Sequence, residues 1–153
     1  MPISFNPKGR VNRLNSDPLT RLPHGVSFRF VDRIVELTPG KRVVALKNVT
    51  AGDPHLQGHF PGNPLMPGVL LVEAMAQTAG LLLSEGSSAV LAQIRDARFR
   101  RSVAPGDQVR IEAEQLSGLG GVRRFAVKAS VEGAAVAEAE ITLADAHAPG
   151  ETK

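Results

Sequence analysis

The run from Val69 to Leu83 is apolar on nearly every side, with Glu73 and Gln77 its conspicuous polar members. Pro67 stands just ahead of it, at the kind of position where proline opens a helix. Read as a helix, the segment spans about 22 Å at ~1.5 Å per residue, too short to cross a bilayer and interrupted by a carboxylate. A helix without a polar face has to be buried all round, so the rest of the chain must cover it. The second half has the pattern to do so. Val109, Ile111 and Ala113 alternate with Arg110, Glu112 and Glu114, and Ala137, Ala139, Ile141 and Leu143 alternate with Glu138, Glu140 and Thr142, the period of half-buried antiparallel strands. Turns are expected at Ala104–Asp107, Gly118–Gly121 and Glu132-Gly133. Upstream, Phe28, Phe30, Val31, Ile34 and Val35 dominate residues 27–37, and Val43–Leu46 resumes after the breakers Thr38–Lys41, which predicts a β-hairpin. Residues 50–66 hold too many prolines and glycines for regular structure and read as a shaped loop. The expected fold class is α+β, one curved antiparallel sheet wrapped around one long apolar central helix.

With 153 residues, 42% hydrophobic and 22% charged, the chain is one domain of ordinary globular composition, which argues against disorder and coiled coil. The expected divisions are an N-terminal arm and short helix over 1–20, the main domain over 21–143 and a flexible polar tail over 144–153. Within the arm, Asp17 would cap the short helix and Pro18 would open it. The absence of cysteine excludes a disulfide scaffold, thiolate metal sites and a cysteine nucleophile. The opening MPISFNPKGRVNRL lacks the apolar centre of an export signal; without a membrane span either, a cytoplasmic protein is expected.

Glu73 and Gln77 are four residues apart and share one helix face. A carboxylate there is either satisfied by Gln77 along a polar seam or does chemistry: burial favours its protonated form, which suits a general acid, while Gln77 fixes its rotamer. The preceding loop favours chemistry. Residues 58–68 read GHFPGNPLMPG, so His59 lies between rigidifying residues fourteen positions before Glu73, and histidine is the side chain best matched to proton transfer near neutrality. Amides near Gly68, at the helix start, lack intrahelical partners and can receive a carbonyl oxygen that gains negative charge. Glycine there lets a ligand come close. His24, His55 and His147 are read as surface or packing residues. Base, acid and carbonyl-binding amide together suit the loss of a β-hydroxyl as water from a thioester.

The run Gln57–Val69, followed by Glu73-Ala74-Met75-Ala76-Gln77, closely resembles the (3R)-hydroxyacyl-acyl carrier protein dehydratases of the FabZ type. Leu22-Pro23-His24, Val31-Asp32-Arg33, Lys47-Asn48-Val49-Thr50, Ala97–Arg101 and Pro105-Gly106-Asp107 look like the same family in the same order, so the resemblance covers residues 21–143. It implies a hot-dog fold paired into homodimers, or hexamers built as trimers of dimers. It also implies a reaction without cofactor that turns a 3-hydroxyacyl thioester into the trans-2-enoyl thioester in fatty acid or related lipid or polyketide synthesis. By the same resemblance His59 is the base, Glu73 is the acid contributed by the opposite subunit, and Gly68 receives the thioester carbonyl. Gln77, Phe60, Pro61 and Gly62 support them, and Val26, Met66 and Phe99 line the acyl tunnel. The implied partner is an acyl carrier protein bearing 3-hydroxyacyl-phosphopantetheine. Glu at position 73 resembles the branch that dehydrates without isomerising. The sequence departs from the family after Pro23-His24, where Gly25-Val26-Ser27 replaces a stretch with a tyrosine at the tunnel mouth, and at Arg29, where the family has an apolar residue; chain-length preference and tunnel gating are in question there.

Other patterns carry less. His55 and His59 have the spacing of a helical zinc pair, but Pro54, Pro61 and the lack of an H-E-x-x-H carboxylate argue against a metal. Gly118–Gly121 lacks the Lys-Ser/Thr of a phosphate loop. Arg95, Arg98, Arg100, Arg101, Arg123 and Arg124 form a basic group with few aromatics beside it and no nucleic-acid motif, better suited to an acidic carrier protein or a phosphate than to nucleic acid. Two alternatives stay open: a hot-dog acyl thioesterase, and a non-catalytic subunit that binds acyl groups or the carrier.

Overall fold

In the computed structural model residues 18–146 are described; the N-terminal arm, the Asp17 cap, His147 and the end of the tail lie outside them. A short helix, α1 (Pro18–Arg21), leads into a hairpin of β1 (Arg33–Thr38) and β2 (Arg42–Asn48). The breaker-rich loop follows, with one 3₁₀ turn at Pro54–Leu56. Then come α2 (Gly68–Gly80) and the strands β3 (Ala89–Phe99), β4 (Gln108–Leu119), β5 (Val122–Val131) and β6 (Ala134–Asp145). All six strands form one antiparallel sheet in the order β1-β2-β4-β5-β6-β3. Among the described residues no helix is long and apolar enough to cross a membrane.

The alternation in the second half puts Val109, Ile111, Ala113, Ala137, Ala139, Ile141 and Leu143 on the inner face, all buried. They close over α2, whose Leu71, Val72, Ala74, Met75, Ala76 and Ala79 are buried too. Alanines at three of those positions let the helix approach the sheet closely, while Met75 and Phe125 fill the space between them; burying such large side chains contributes roughly 1.5–3 kcal/mol each. Glu132 and Gly133 both take left-handed φ, +50° and +79°, the conformation that a two-residue hairpin turn demands.

Four boundaries differ from expectation. Pro67 caps α2 from outside and the helix ends at Gly80, with Leu81–Leu83 buried in the turn beyond. Val69 is 77% exposed, so the helix is not covered in its first turn. The first strand of the hairpin begins only at Arg33, because Val26–Phe28 coils into a 3₁₀ turn and the backbone at Phe28 and Phe30 pairs with a side chain from α2. Strand β6 runs to Asp145, past the expected domain end at 143. The strand the sequence did not disclose is β3. It closes the sheet as an edge strand, with ten of its eleven residues exposed, among them Val90, Leu91, Ile94 and Phe99.

Candidate active site

His59 sits in a loop stiffened by its own backbone. The His59 carbonyl accepts from Leu65 N–H at 2.7 Å, and the Phe60 carbonyl accepts from Asn63 N–H at 2.9 Å across a turn with Pro61 second and Gly62 third. Gly62 has φ +77°, which that turn reserves for glycine. The Phe60 ring stacks on the imidazole at 4.2 Å between centroids. Phe60, Pro61 and Gly62 thus act on His59 through stacking and turn geometry. His59 Nδ1 lies 2.9 Å from the Leu65 carbonyl oxygen. Because a carbonyl only accepts, Nδ1 carries the proton, and in the neutral ring Nε2 is the acceptor nitrogen, the tautomer a base at Nε2 requires.

Glu73 and Gln77 share one face of α2. Gln77 is 2% exposed and fully engaged: its Oε1 accepts from Phe30 N–H at 2.9 Å, and its Nε2–H₂ donates to the Phe28 carbonyl at 2.8 Å and to Glu73 Oε1 at 2.9 Å. Gln77 therefore fixes the Glu73 carboxylate and ties the 28–30 segment to the helix. The Glu73 side chain itself is 21% exposed, not buried within the chain. It opens onto a cavity of about 250 Å³ walled by Leu22, His24, Ala76, Gly80, Leu83 and Leu91, among others.

Gly68 begins α2, so its amide has no intrahelical acceptor. A Cβ there would meet the Phe99 ring at 3.1 Å, and glycine lets the end of β3 lie across the helix start. Of the expected tunnel residues, Phe99 is therefore beside Gly68, Met66 packs against the core and lines a small cleft with Phe30 and Leu70, and Val26 is 81% exposed. None of the three lines the cavity at Glu73, and His59 does not line it either. One chain thus joins Glu73 to Gln77 and Gly68 to Phe99, but it does not join His59 to Glu73.

The residue that sequence reasoning passed over is His24. Its Nε2 lies 3.4 Å from Glu73 Oε1, in the same cavity. His55 packs on the Phe30 ring at 5.3 Å, as expected of a packing residue. No group of three or more potential metal ligands occurs among the described residues. The arginine group divides: Arg123 pairs with Asp145 at 2.8 Å, Arg124 with Glu140 at 2.7 Å and Arg100 with Glu138, while Arg95, Arg98 and Arg101 have no ion pair among the described residues.

A single apolar helix cradled by a six-stranded antiparallel sheet defines the hot-dog class. Solved structures agree at the level of the fold. A dehydratase heterocomplex, ApeI:P from Xenorhabdus doucetiae, superposes with a TM-score of 0.75 over 86% of this chain and 92% of its own at 16% identity. A hypothetical thioesterase with coenzyme A from Streptococcus pneumoniae gives 0.62 over 77% and 88% at 18% identity. Residues 22–140 match the FabA-like domain, and the chain belongs to that family. It is 50% identical over 128 residues, 80% of this chain and 88% of the relative, to the 3-hydroxyacyl-[acyl-carrier-protein] dehydratase FabZ of Acetivibrio thermocellus. It is 48% identical over 130 residues, 81% and 84%, to that of Bartonella bacilliformis.

Proposed function

We propose that this chain is a (3R)-3-hydroxyacyl-acyl carrier protein dehydratase of fatty acid synthesis, a hydro-lyase working in the cytoplasm on a carrier-bound substrate. Half-identity over most of the chain to FabZ dehydratases supports the activity. The observation that carries the mechanism is the His59–Leu65 hydrogen bond, which leaves Nε2 free to take the C2 proton of the thioester. As that proton leaves, charge moves onto the thioester oxygen, where the Gly68 amide stabilises it. The carboxylic acid of Glu73 gives its proton to the β-hydroxyl, the C3–O bond breaks, and water departs from the trans-2-enoyl thioester.

No contact joins His59 to Glu73 within one chain, and His59 does not line the cavity at Glu73, so the reading assigns each site to two chains. The exposed apolar edge β3 supports this: it borders both the cavity at Glu73, through Ala89, Val90 and Leu91, and the Gly68 amide, through Phe99. A second copy paired along β3 would bring its own His59 toward Glu73. Such dimers could group further into hexamers.

Incubation with a 3-hydroxyacyl thioester tests the activity, since dehydration raises enoyl absorbance whereas a thioesterase releases free thiol. His59→Ala and Glu73→Gln should each lower turnover by roughly 10²-fold or more with unchanged melting, while His55→Ala should matter little. Thiol release without enoyl product, or full activity in His59→Ala, overturns the reading.

A further inference from the structure

His24 and His59 are held in opposite senses. Where His59 has its Nδ1 proton committed to a carbonyl, His24 has Nδ1 buried with no hydrogen-bond partner among the described residues, and Nε2 aimed at Glu73 Oε1 from 3.4 Å. The two neutral tautomers of His24 are therefore unequal. With the proton on Nδ1, the ring would bury an unpaired N–H and set a bare nitrogen against Oε1, which already accepts from Gln77 Nε2–H₂. With the proton on Nε2, the N–H faces Oε1 and only an acceptor is left unpaired, the smaller penalty. The residue has little freedom to escape: its ring stacks on Phe28 at 6.1 Å, and its backbone carbonyl accepts from Arg29 Nε–H at 2.8 Å. The other charged group at the cavity, Arg21, lies 3.9 Å from Glu85.

We propose that His24 is a positioning residue of the dehydration, whose Nε2–H steadies Glu73 Oε1 as the carboxyl group becomes a carboxylate. The proposal rests on Glu73 being the acid. When Glu73 gives its proton to the departing hydroxyl, its negative charge spreads over both oxygens, and Oε1 already faces two donors, Gln77 Nε2–H₂ and His24 Nε2–H. A hydrogen bond to the charged form is stronger than one to the neutral acid, so this contact grows along the reaction and lowers the barrier instead of merely binding substrate. His24 transfers no proton in the step. At 3.4 Å the contact is long for a hydrogen bond and has room to tighten as Oε1 gains charge.

Three variants of the full chain, assayed on a short 3-hydroxyacyl N-acetylcysteamine thioester, separate the possibilities. His24→Phe keeps an aromatic ring on Phe28 but has no nitrogen; His24→Ala loses both; His24→Gln keeps an N–H where Nε2 stood. Phe and Ala should lower kcat roughly tenfold or more with KM within about twofold, and Gln should recover most of the loss. Activity in His24→Phe equal to that of the unaltered protein, or a change confined to KM, reduces His24 to a wall of the cavity and overturns the proposal. Side-chain ¹⁵N spectra test it without turnover: His24 should be the Nε2–H tautomer, and its Nε2 resonance should move in Glu73→Gln. An Nδ1–H tautomer, or an unmoved resonance, overturns the proposal even if a variant fails to fold. If the unaltered protein makes no enoyl product, the dehydratase reading fails by itself, and the spectra still decide the His24–Glu73 contact.

Discussion

Gln77 shows how much a single residue holds. Its amide satisfies one backbone N–H, one backbone carbonyl and the Glu73 carboxylate at once, so Gln77→Leu strands a buried N–H and loosens the acid together. The variant should lose about 1–3 kcal/mol in chemical denaturation and also turn over more slowly; full stability with normal turnover would show that water replaces the amide. The stiff loop at His59 and the Glu73–Gln77 pair were legible in the sequence because each is a local pattern, a run of prolines and glycines or an i, i+4 spacing on one helix. His24 was not. Its meeting with Glu73 spans 49 residues and depends on the segment that Gln77 draws in, and nothing near His24 in the chain signals it.

Among elements, the Arg42 guanidinium reinforces the ladder between the first hairpin and its neighbour strand. Arg42 of β2 reaches Glu36 of β1 at 2.7 Å, and Glu112 and Glu114 of β4 at 2.6 and 3.5 Å. The hydrogen bond from Arg42 holds the Glu112 carboxyl below its ordinary 4.5, with burial opposing it, and the same bond raises Arg42. A carboxyl lowered by folding contributes stability that is fully present above its ordinary value and disappears as pH falls through the lowered one. Glu112→Gln should therefore melt below the unaltered protein at neutral pH, by the ~0.2–1 kcal/mol of an exposed pair, and the two should converge as pH falls below 4.5 and through the lowered value; a gap that persists in acid would rule out the ion pair as its cause. Strand legibility follows similar physics. Strands β4 and β6 were readable because one face is buried and the other wet. In β3, irregular register at Leu91/Gln93 and at Arg95/Arg98 breaks the period of two, and an edge exposed on both faces has no buried side to mark. Residues 28–30 looked like strand because their side chains are β-formers, yet a glutamine, not a ladder, satisfies their backbone.

For the whole molecule, the division of His59 from Glu73 yields a test of assembly. Mixing inactive His59→Ala and Glu73→Gln chains under subunit exchange should form mixed dimers with one intact and one doubly damaged site, and activity should return toward about half per dimer for independent sites. If mass confirms exchange and no activity returns, the pair works within one chain. The edge that would mediate this pairing is kinked: Asp96 takes φ +50° and stands between Arg95 and Arg98, with Ile94 on one side and Phe99 on the other. A foreign strand sliding onto β3 would have to bury those charges and bend at the same point. Only a chain with the same bend, turned about a twofold axis, meets the edge with its own kink already in place, so a newly made copy in a crowded cell can afford a sticky border without adhering to every extended peptide it encounters.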